Sequence, residues 1–268
     1  MIKAVRSLGQ NFLIDPLIIS AIIGVINPVP DDTILEIGPG LGAWTAPLLA
    51  SGADVIAIEK DRRLIPMLQK QFPKLHLIEG DILEILLDDI LPDGNKCKVV
   101  GNLPYKITTP ILTHLLSKNH LFSSFTLMVQ KEVAQRITAT PGTPHMGTLS
   151  YFIHRFAEAK MIFTIPKRAS SPEPKVDSAL VQIKLRQNNR QYHKDVFNLV
   201  KIAYGQRRKM LRSSLKRIIP PQQIENLLAR LSLPGTARPQ DLSLEHFDLI
   251  CQQRELQSQK LENLLENV

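Results

Sequence analysis

The segment Asn102-Leu103-Pro104-Tyr105 sets a side-chain amide, a rigid proline and an aromatic face within four residues. Those groups suit an exocyclic amine carried on an aromatic ring. Such a nitrogen is a poor nucleophile, because its lone pair is delocalised into the ring. The Asn102 oxygen and a neighbouring backbone carbonyl can accept its two N–H bonds, which frees the lone pair to face a methyl donor. Tyr105 supplies a stacking face, a contact of about 1–3 kcal/mol, and Pro104 restricts the backbone between them. Taken by itself, the tetrapeptide equally describes a proline turn capping a strand, with Tyr105 in the core.

A second set of residues points to the donor. Gly38, Gly40 and Gly42 lie between a predicted strand and helix, where glycine lets the backbone turn tightly and approach a ligand. Glu59 ends the next strand, 21 residues after Gly38, and its carboxylate can accept two ribose hydroxyls. Asp81 ends the strand after that, placed to meet an adenine amino group. A nicotinamide-dependent dehydrogenase would share the acid. The spacing here is Gly-x-Gly-x-Gly rather than Gly-x-Gly-x-x-Gly, however, and no pyrophosphate site is evident. S-adenosylmethionine (SAM) carries adenosine without phosphate, so Glu59 would take its ribose and the glycine loop its methionine part. Other chemistries lack support. The seven histidines show no metal spacing, Cys97 and Cys251 stand 154 residues apart, and Ser213-x-x-Lys216 lies in a basic run without an oxyanion loop.

These groups need a frame. Asp15 followed by Pro16 predicts a helix start, the helix running to Ile26. Strands are predicted at 33–37, 54–58, 75–78, 98–100 and 124–129, with helices at about 43–50, 61–71, 109–116 and 131–137. The stretch 81–91 is ambiguous. Late strands around 159–165 and 179–185 complete the pattern. This alternation predicts an α/β fold with a doubly wound, mostly parallel, Rossmann-like sheet. The candidate residues then fall at the carboxyl edge of that sheet, where open α/β folds hold their ligands.

Composition narrows the class. The chain has 268 residues, 44% of them apolar, enough for one large core and a smaller one and too apolar for disorder. Its apolar runs break at charge or proline before about eighteen residues, so no membrane span is predicted. The first residues show neither a signal-peptide nor a transit pattern, and two distant cysteines suit a reducing cytoplasm. Charge is placed unevenly. Residues 1–183 hold 18 basic and 17 acidic side chains, whereas 184–268 hold 15 and 8. A near-neutral domain, 1–185, is therefore expected to join a basic and mainly helical domain, 191–268, across the polar linker 186–191. Phe197, Val200, Tyr204, Leu211, Leu215 and Ile218 share one face of a helix drawn across 197–218, with Lys209, Arg212 and Lys216 on a neighbouring face. Residues 205–217 carry six basic and no acidic side chains, which favours phosphate contact over a solvated surface.

Five segments, in order, make the chain resemble the ribosomal RNA adenine N6,N6-dimethyltransferases, specifically the small-subunit KsgA/RsmA family. They are Leu8-Gly9-Gln10-Asn11-Phe12-Leu13, Glu36-Ile37-Gly38-Pro39-Gly40-Leu41-Gly42, Gly101-Asn102-Leu103-Pro104-Tyr105, Pro174-Lys175-Val176-Asp177-Ser178-Ala179, and Gln206-Arg207-Arg208-Lys209-x-Leu211-Arg212-x-Ser214-Leu215. The resemblance spans nearly the whole chain. It implies a SAM site using Asn11, Leu13, Gly38, Glu59, Asp81 and Asn102, with Asn102, Leu103, Pro104 and Tyr105 as the catalytic segment. It also implies RNA contacts from Arg207, Arg208, Lys209, Arg212 and Lys216, and no metal. The implied reaction places four methyl groups on the N6 amines of two adjacent adenosines near the 3′ end of 16S rRNA, in the small ribosomal subunit. The implied enzyme is a cytoplasmic monomer. Phe12 either covers the cofactor or fills the core. The Gln-Arg-Arg-Lys segment favours this branch over the large-subunit resistance methylases. Two positions depart from the pattern: Lys106 stands where the family usually has asparagine, and Ser170 where it usually has a phenylalanine that looks like a second stacking wall. Those departures motivate a rival reading, a non-catalytic ribosome-assembly factor that keeps the fold and the RNA binding.

Overall fold

In the computed structural model, which describes residues 4–5, 8–92, 94–186 and 194–253, Asp15 starts the first helix as its sequence requires. The short strand β1 (Phe12–Leu13) leads into α1 (Pro16–Ile26). The Asp15 carboxylate accepts the backbone N–H of Leu17 at 3.0 Å and of Ile18 at 3.3 Å, with Pro16 opening the helix. Alternating elements follow: β2 (Thr33–Ile37), α2 (Thr45–Ala50), β3 (Asp54–Glu59), α3 (Ile65–Gln71), β4 (His76–Glu79), α4 (Leu87–Ile90), β5 (Cys97–Asn102), α5 (Thr108–Ser117), β6 (Phe122–Gln130) and α6 (Lys131–Ile137). Then come α7 (Thr148–Phe156), β7 (Ala157–Ile165), the two-residue β8 (Ser170–Ser171) and β9 (Ser178–Leu185). The ambiguous stretch 81–91 yields only the single turn of α4.

The main sheet has the order β4-β3-β2-β5-β6-β9-β7. Strands β2 to β6 pair in parallel, and β9 lies antiparallel between β6 and β7. Nearly continuous burial along β2 and β3 is what a sheet covered on both faces demands. Ile22 of α1, Leu48 of α2 and Ile34, Val55 and Val100 of the sheet share one core, each side chain contributing about 1.5–3 kcal/mol. The chain reverses its winding between β2 and β5, and the crevice beyond their carboxyl ends is where such sheets bind ligands. A second, two-stranded ribbon pairs Phe12 with Ser171 and Leu13 with Ser170.

The chain divides into two units, 4–138 with 156–186 and 139–155 with 194–253 among the described residues. The linear boundary expected at 185/191 is thus incomplete, because residues 139–155 belong with the C-terminal part. The reason is apolar packing: Tyr151 and Met146 share a core with Leu199, Val200, Leu211, Leu215, Leu228 and Phe247. The Tyr151 ring meets Phe247 edge to face at 5.2 Å, and its hydroxyl donates to the Leu244 carbonyl at 2.9 Å. Helices α8 (Lys194–Gly205), α9 (Leu211–Ser214) and α10 (Pro221–Arg230) build this unit, and residues 244–253 are helical. The single helix drawn across 197–218 is therefore corrected. It stops at Gly205, turns through 206–209, and restarts after an extended Met210 whose neighbour Leu211 donates to the Ala237 carbonyl at 2.8 Å. Residues 187–191 of the expected linker lie outside the described residues.

Candidate active site

The carboxyl ends of β2, β3 and β5, the turn after β4 and the N-terminal segment enclose a cavity of about 240 Å³. Gly38, Glu59, Asp81, Asn11 and the whole of Asn102-Leu103-Pro104-Tyr105 line it. Phe12 lines it too and packs against Gly40, where an added Cβ would lie 3.1 Å from the ring. Leu13 does not. Its side chain is buried in the core and borders a smaller adjoining cavity, of about 40 Å³, shared with Glu36, Gly38 and Asn102.

Glu59 ends β3 and is buried. Its two oxygens accept the Asp61 N–H at 2.8 Å and the Gly40 N–H at 3.2 Å, which fixes the carboxylate against the glycine loop. Burial raises its pKa. Asp81 sits in the turn after β4, bonded to Lys60 Nζ at 2.5 Å and to the Leu83 N–H at 3.0 Å. Burial pushes that carboxyl up, but the Lys60 bond and the Leu83 N–H outweigh it and hold the pKa below its ordinary value.

Asn102 ends β5, and its Nδ2 donates to the Asn11 backbone carbonyl at 2.7 Å. A carbonyl only accepts, so this contact assigns the amide: nitrogen toward Asn11, Oδ1 left as an acceptor. Tyr105 is half-buried, and its hydroxyl lies 2.6 Å from Ser178 Oγ at the start of β9. The fourth sequence segment thus tethers the third. Between them, Leu103 donates its N–H to Met128 at 3.0 Å, and the Pro104 carbonyl accepts from Ile107 and Thr108 at 3.1 Å.

Three residues with no assigned role in the sequence reading complete the surroundings. Glu36 is 2% exposed, accepts the Thr45 hydroxyl at 2.7 Å, and has its pKa raised to about 7 by burial, with the Glu59 charge adding to the effect. Gln10 donates to Asp61 at 2.8 Å and accepts the Val5 N–H at 2.8 Å, tying the N-terminal segment to the end of β3. Asp61 is in turn gripped by Arg63, whose bonds, with that of Gln10, lower its pKa to about 2. Only the acid of the glycine segment could have signalled itself in sequence.

Ser170, where the family usually carries an aromatic, leaves the cofactor cavity untouched, as expected. It is buried opposite Leu13 in the small ribbon, its Oγ has no hydrogen-bond partner, and it does not line the cavity. In the other unit Arg207, Arg208, Lys209 and Lys216 are exposed, and the Arg207 guanidinium donates to the Pro144 carbonyl at 2.8 Å. Arg212 is half-buried and ion-paired with Glu225 of α10, an acid that lies outside the acid-free run. The helix break therefore replaces the expected Lys209–Arg212–Lys216 stripe by an exposed basic turn and a paired arginine.

The cavity fits SAM. At Gly38 the backbone is left-handed, with φ +68°, and an added Cβ would meet no atom within 4 Å, so the loop leaves open a cradle that a side chain would fill. Glu59 and the Gly38 loop would hold ribose and methionine, and Asp81 the adenine.

Comparison with known proteins agrees with this geometry. The family described as ribosomal RNA adenine dimethylase matches residues 1–253. The small-subunit methyltransferase A of Protochlamydia amoebophila is 40% identical over 90% of this chain and 88% of its own length; that of Thermosynechococcus vestitus is 39% identical over 92% and 95%. Among solved structures, a dimethyladenosine transferase from Plasmodium falciparum superposes with a TM-score of 0.78 at 25% identity, covering 91% of this chain and 98% of that one. The 23S rRNA methyltransferase ErmE gives 0.69 at 25% identity, covering 91% and 99%. The chain belongs to the ribosomal RNA adenine dimethylase family, whose methyl donor is SAM.

Proposed function

We propose that the protein dimethylates the N6 amines of two adjacent adenosines near the 3′ end of 16S rRNA, within the small ribosomal subunit. The coarser statement follows from its family: it is a SAM-dependent rRNA adenine methyltransferase. The observation that carries the adenine N6 part of this reading is the commitment of Asn102 Nδ2 to the Asn11 carbonyl. It presents Oδ1 as the acceptor for an incoming amine and keeps that orientation before substrate arrives. Tyr105, tethered through its hydroxyl, offers its ring to the adenine. SAM, when bound, supplies the electrophilic methyl group. Glu59 and the Gly38 loop hold the donor, while the N-terminal segment closes over it through Gln10 and Asp61.

The basic unit is the natural RNA-contacting part. Its exposed Arg207, Arg208, Lys209 and Lys216 provide charge for backbone phosphates. The relatives named for the small subunit, rather than the large, favour 16S rRNA as substrate. No described helix is long and apolar enough to cross a membrane. The reading makes the protein a cytoplasmic monomer that uses no metal. Labelled methyl transfer from SAM to unmethylated small subunits, followed by mapping of the product, tests it. Label on two adjacent adenosines near the 3′ end of 16S rRNA is the expected result; label elsewhere, or none, rejects it.

A further inference from the structure

Two lysines line the cavity, and they differ in their partners. Lys60 is bonded to Asp81. Lys106 is exposed and makes no ion pair among the described residues. It stands on a fixed turn, since Ile107 donates its N–H to the Pro104 carbonyl at 3.1 Å and α5 begins at Thr108. It also follows Tyr105 directly, on the side of the cavity built by the Asn102 segment.

We infer that Lys106 binds a backbone phosphate of the nucleotide whose base enters on Tyr105. The inference rests on the adenine-methylation reading given above. The two ligands of the cavity differ in charge. SAM carries a sulfonium, an ammonium and one carboxylate, so a free lysine gains little from it. The adenine base is neutral. Phosphate is the one anionic part of the RNA substrate, and it leaves the cavity with the sugar when the base is seated inward. A lysine on the rim, flexible and carrying a compact charge, meets it there. The asparagine usual at this position in the family would place no charge at the rim.

The test compares wild-type protein with K106A, K106N and K106R on unmethylated small subunits at saturating SAM, reading KM and kcat between 50 and 200 mM salt. One phosphate contact changes affinity about threefold over that range. The KM ratio of K106A or K106N to wild type is expected to shrink by that factor as salt rises, with K106R keeping the wild-type slope and all four proteins binding SAM alike by calorimetry. A K106A salt slope equal to that of wild type overturns the inference, and so does a loss confined to SAM affinity. Wild-type protein that transfers no methyl to the subunit would instead reject the underlying reading, and the Lys106 assignment with it.

Discussion

Asn102 divides one amide between the fold and the chemistry. Its nitrogen is held by a backbone carbonyl of the N-terminal segment, so its oxygen needs no reorganisation to receive an amine. Asn102→Ala is expected to cut single-turnover methylation by about 100-fold while leaving subunit binding within about twofold, because the loss is one of orientation. A rate near that of wild type would remove the residue from the mechanism. Glu59→Ala deletes the buried acceptor at the other end of the cavity and is expected to weaken SAM binding by about 1.5–3 kcal/mol. Unchanged affinity in a folded variant, measured by calorimetry, rejects the ribose assignment. Both residues were legible in sequence because their chemical type and their place at a strand end carry the information. Asn11 was legible only by resemblance. Its contribution here is a backbone oxygen, which every residue possesses, and no side-chain pattern announces it. The Gln10–Asp61 bond joins residues far apart in the chain, so it too awaited the folded structure.

At the scale of elements, the glycine segment separates two requirements that sequence merges into one motif. Gly38 and Gly42 both have positive φ, at +68° and +84°, yet their surroundings differ. A Cβ on Gly38 meets nothing, whereas one on Gly42 would lie 2.3 Å from the Phe72 ring. Gly38→Ala is therefore expected to cost only the backbone strain of about 1–2 kcal/mol, to fold, and to bind SAM at least about tenfold more weakly. Gly42→Ala adds a steric clash and is expected to lower Tm by more. Equal loss of stability in the two variants, with SAM affinity intact in Gly38→Ala, would make the open cradle a plain turn. The basic segment teaches the opposite lesson. Four of its six apolar positions, Val200, Tyr204, Leu211 and Leu215, enter one core, Ile218 packs against it, and Phe197 is not among its members. Periodicity nevertheless continued through Gly205, because two short helices facing the same core keep nearly the same spacing. The consequence is functional: replacing Arg207, Arg208 and Lys209 by glutamine is expected to reduce the salt slope of subunit binding by about 2–3. Arg212→Gln, which breaks the half-exposed pair with Glu225, should instead act on stability by no more than about 1 kcal/mol. Identical salt slopes before and after the triple change would make the basic turn a solvated surface.

For the whole molecule, stability and pH are joined through the two carboxyls flanking the cavity, and they act in opposite directions. The sheet and its winding were readable from alternating strand and helix signals, but the membership of residues 139–155 was not. Their apolar side chains suit either core, and only packing decides. Burial of Glu36 has the same character: an acid within an apolar strand reveals neither its depth nor its neighbour Glu59. Folding raises the Glu36 pKa to about 7, so the folded protein retains a proton that the unfolded chain releases near its ordinary value of 4.5. Its contribution is complete below that unfolded value and is lost as pH rises to about 7. Asp61 runs the other way. Lowered to about 2, it contributes fully above its ordinary 3.8 and loses that contribution as pH falls toward 2. Urea unfolding of the wild-type protein is therefore expected to show stability falling from pH 5 to pH 8. Glu36→Gln keeps an acceptor for the Thr45 hydroxyl but has no proton to lose, so its curve should be flatter. Between pH 5 and pH 8 the variant should gain about 2–3 kcal/mol relative to wild type. Parallel curves for the two proteins would mean that Glu36 ionises in the fold as readily as in the unfolded chain, and that its burial carries no electrostatic cost.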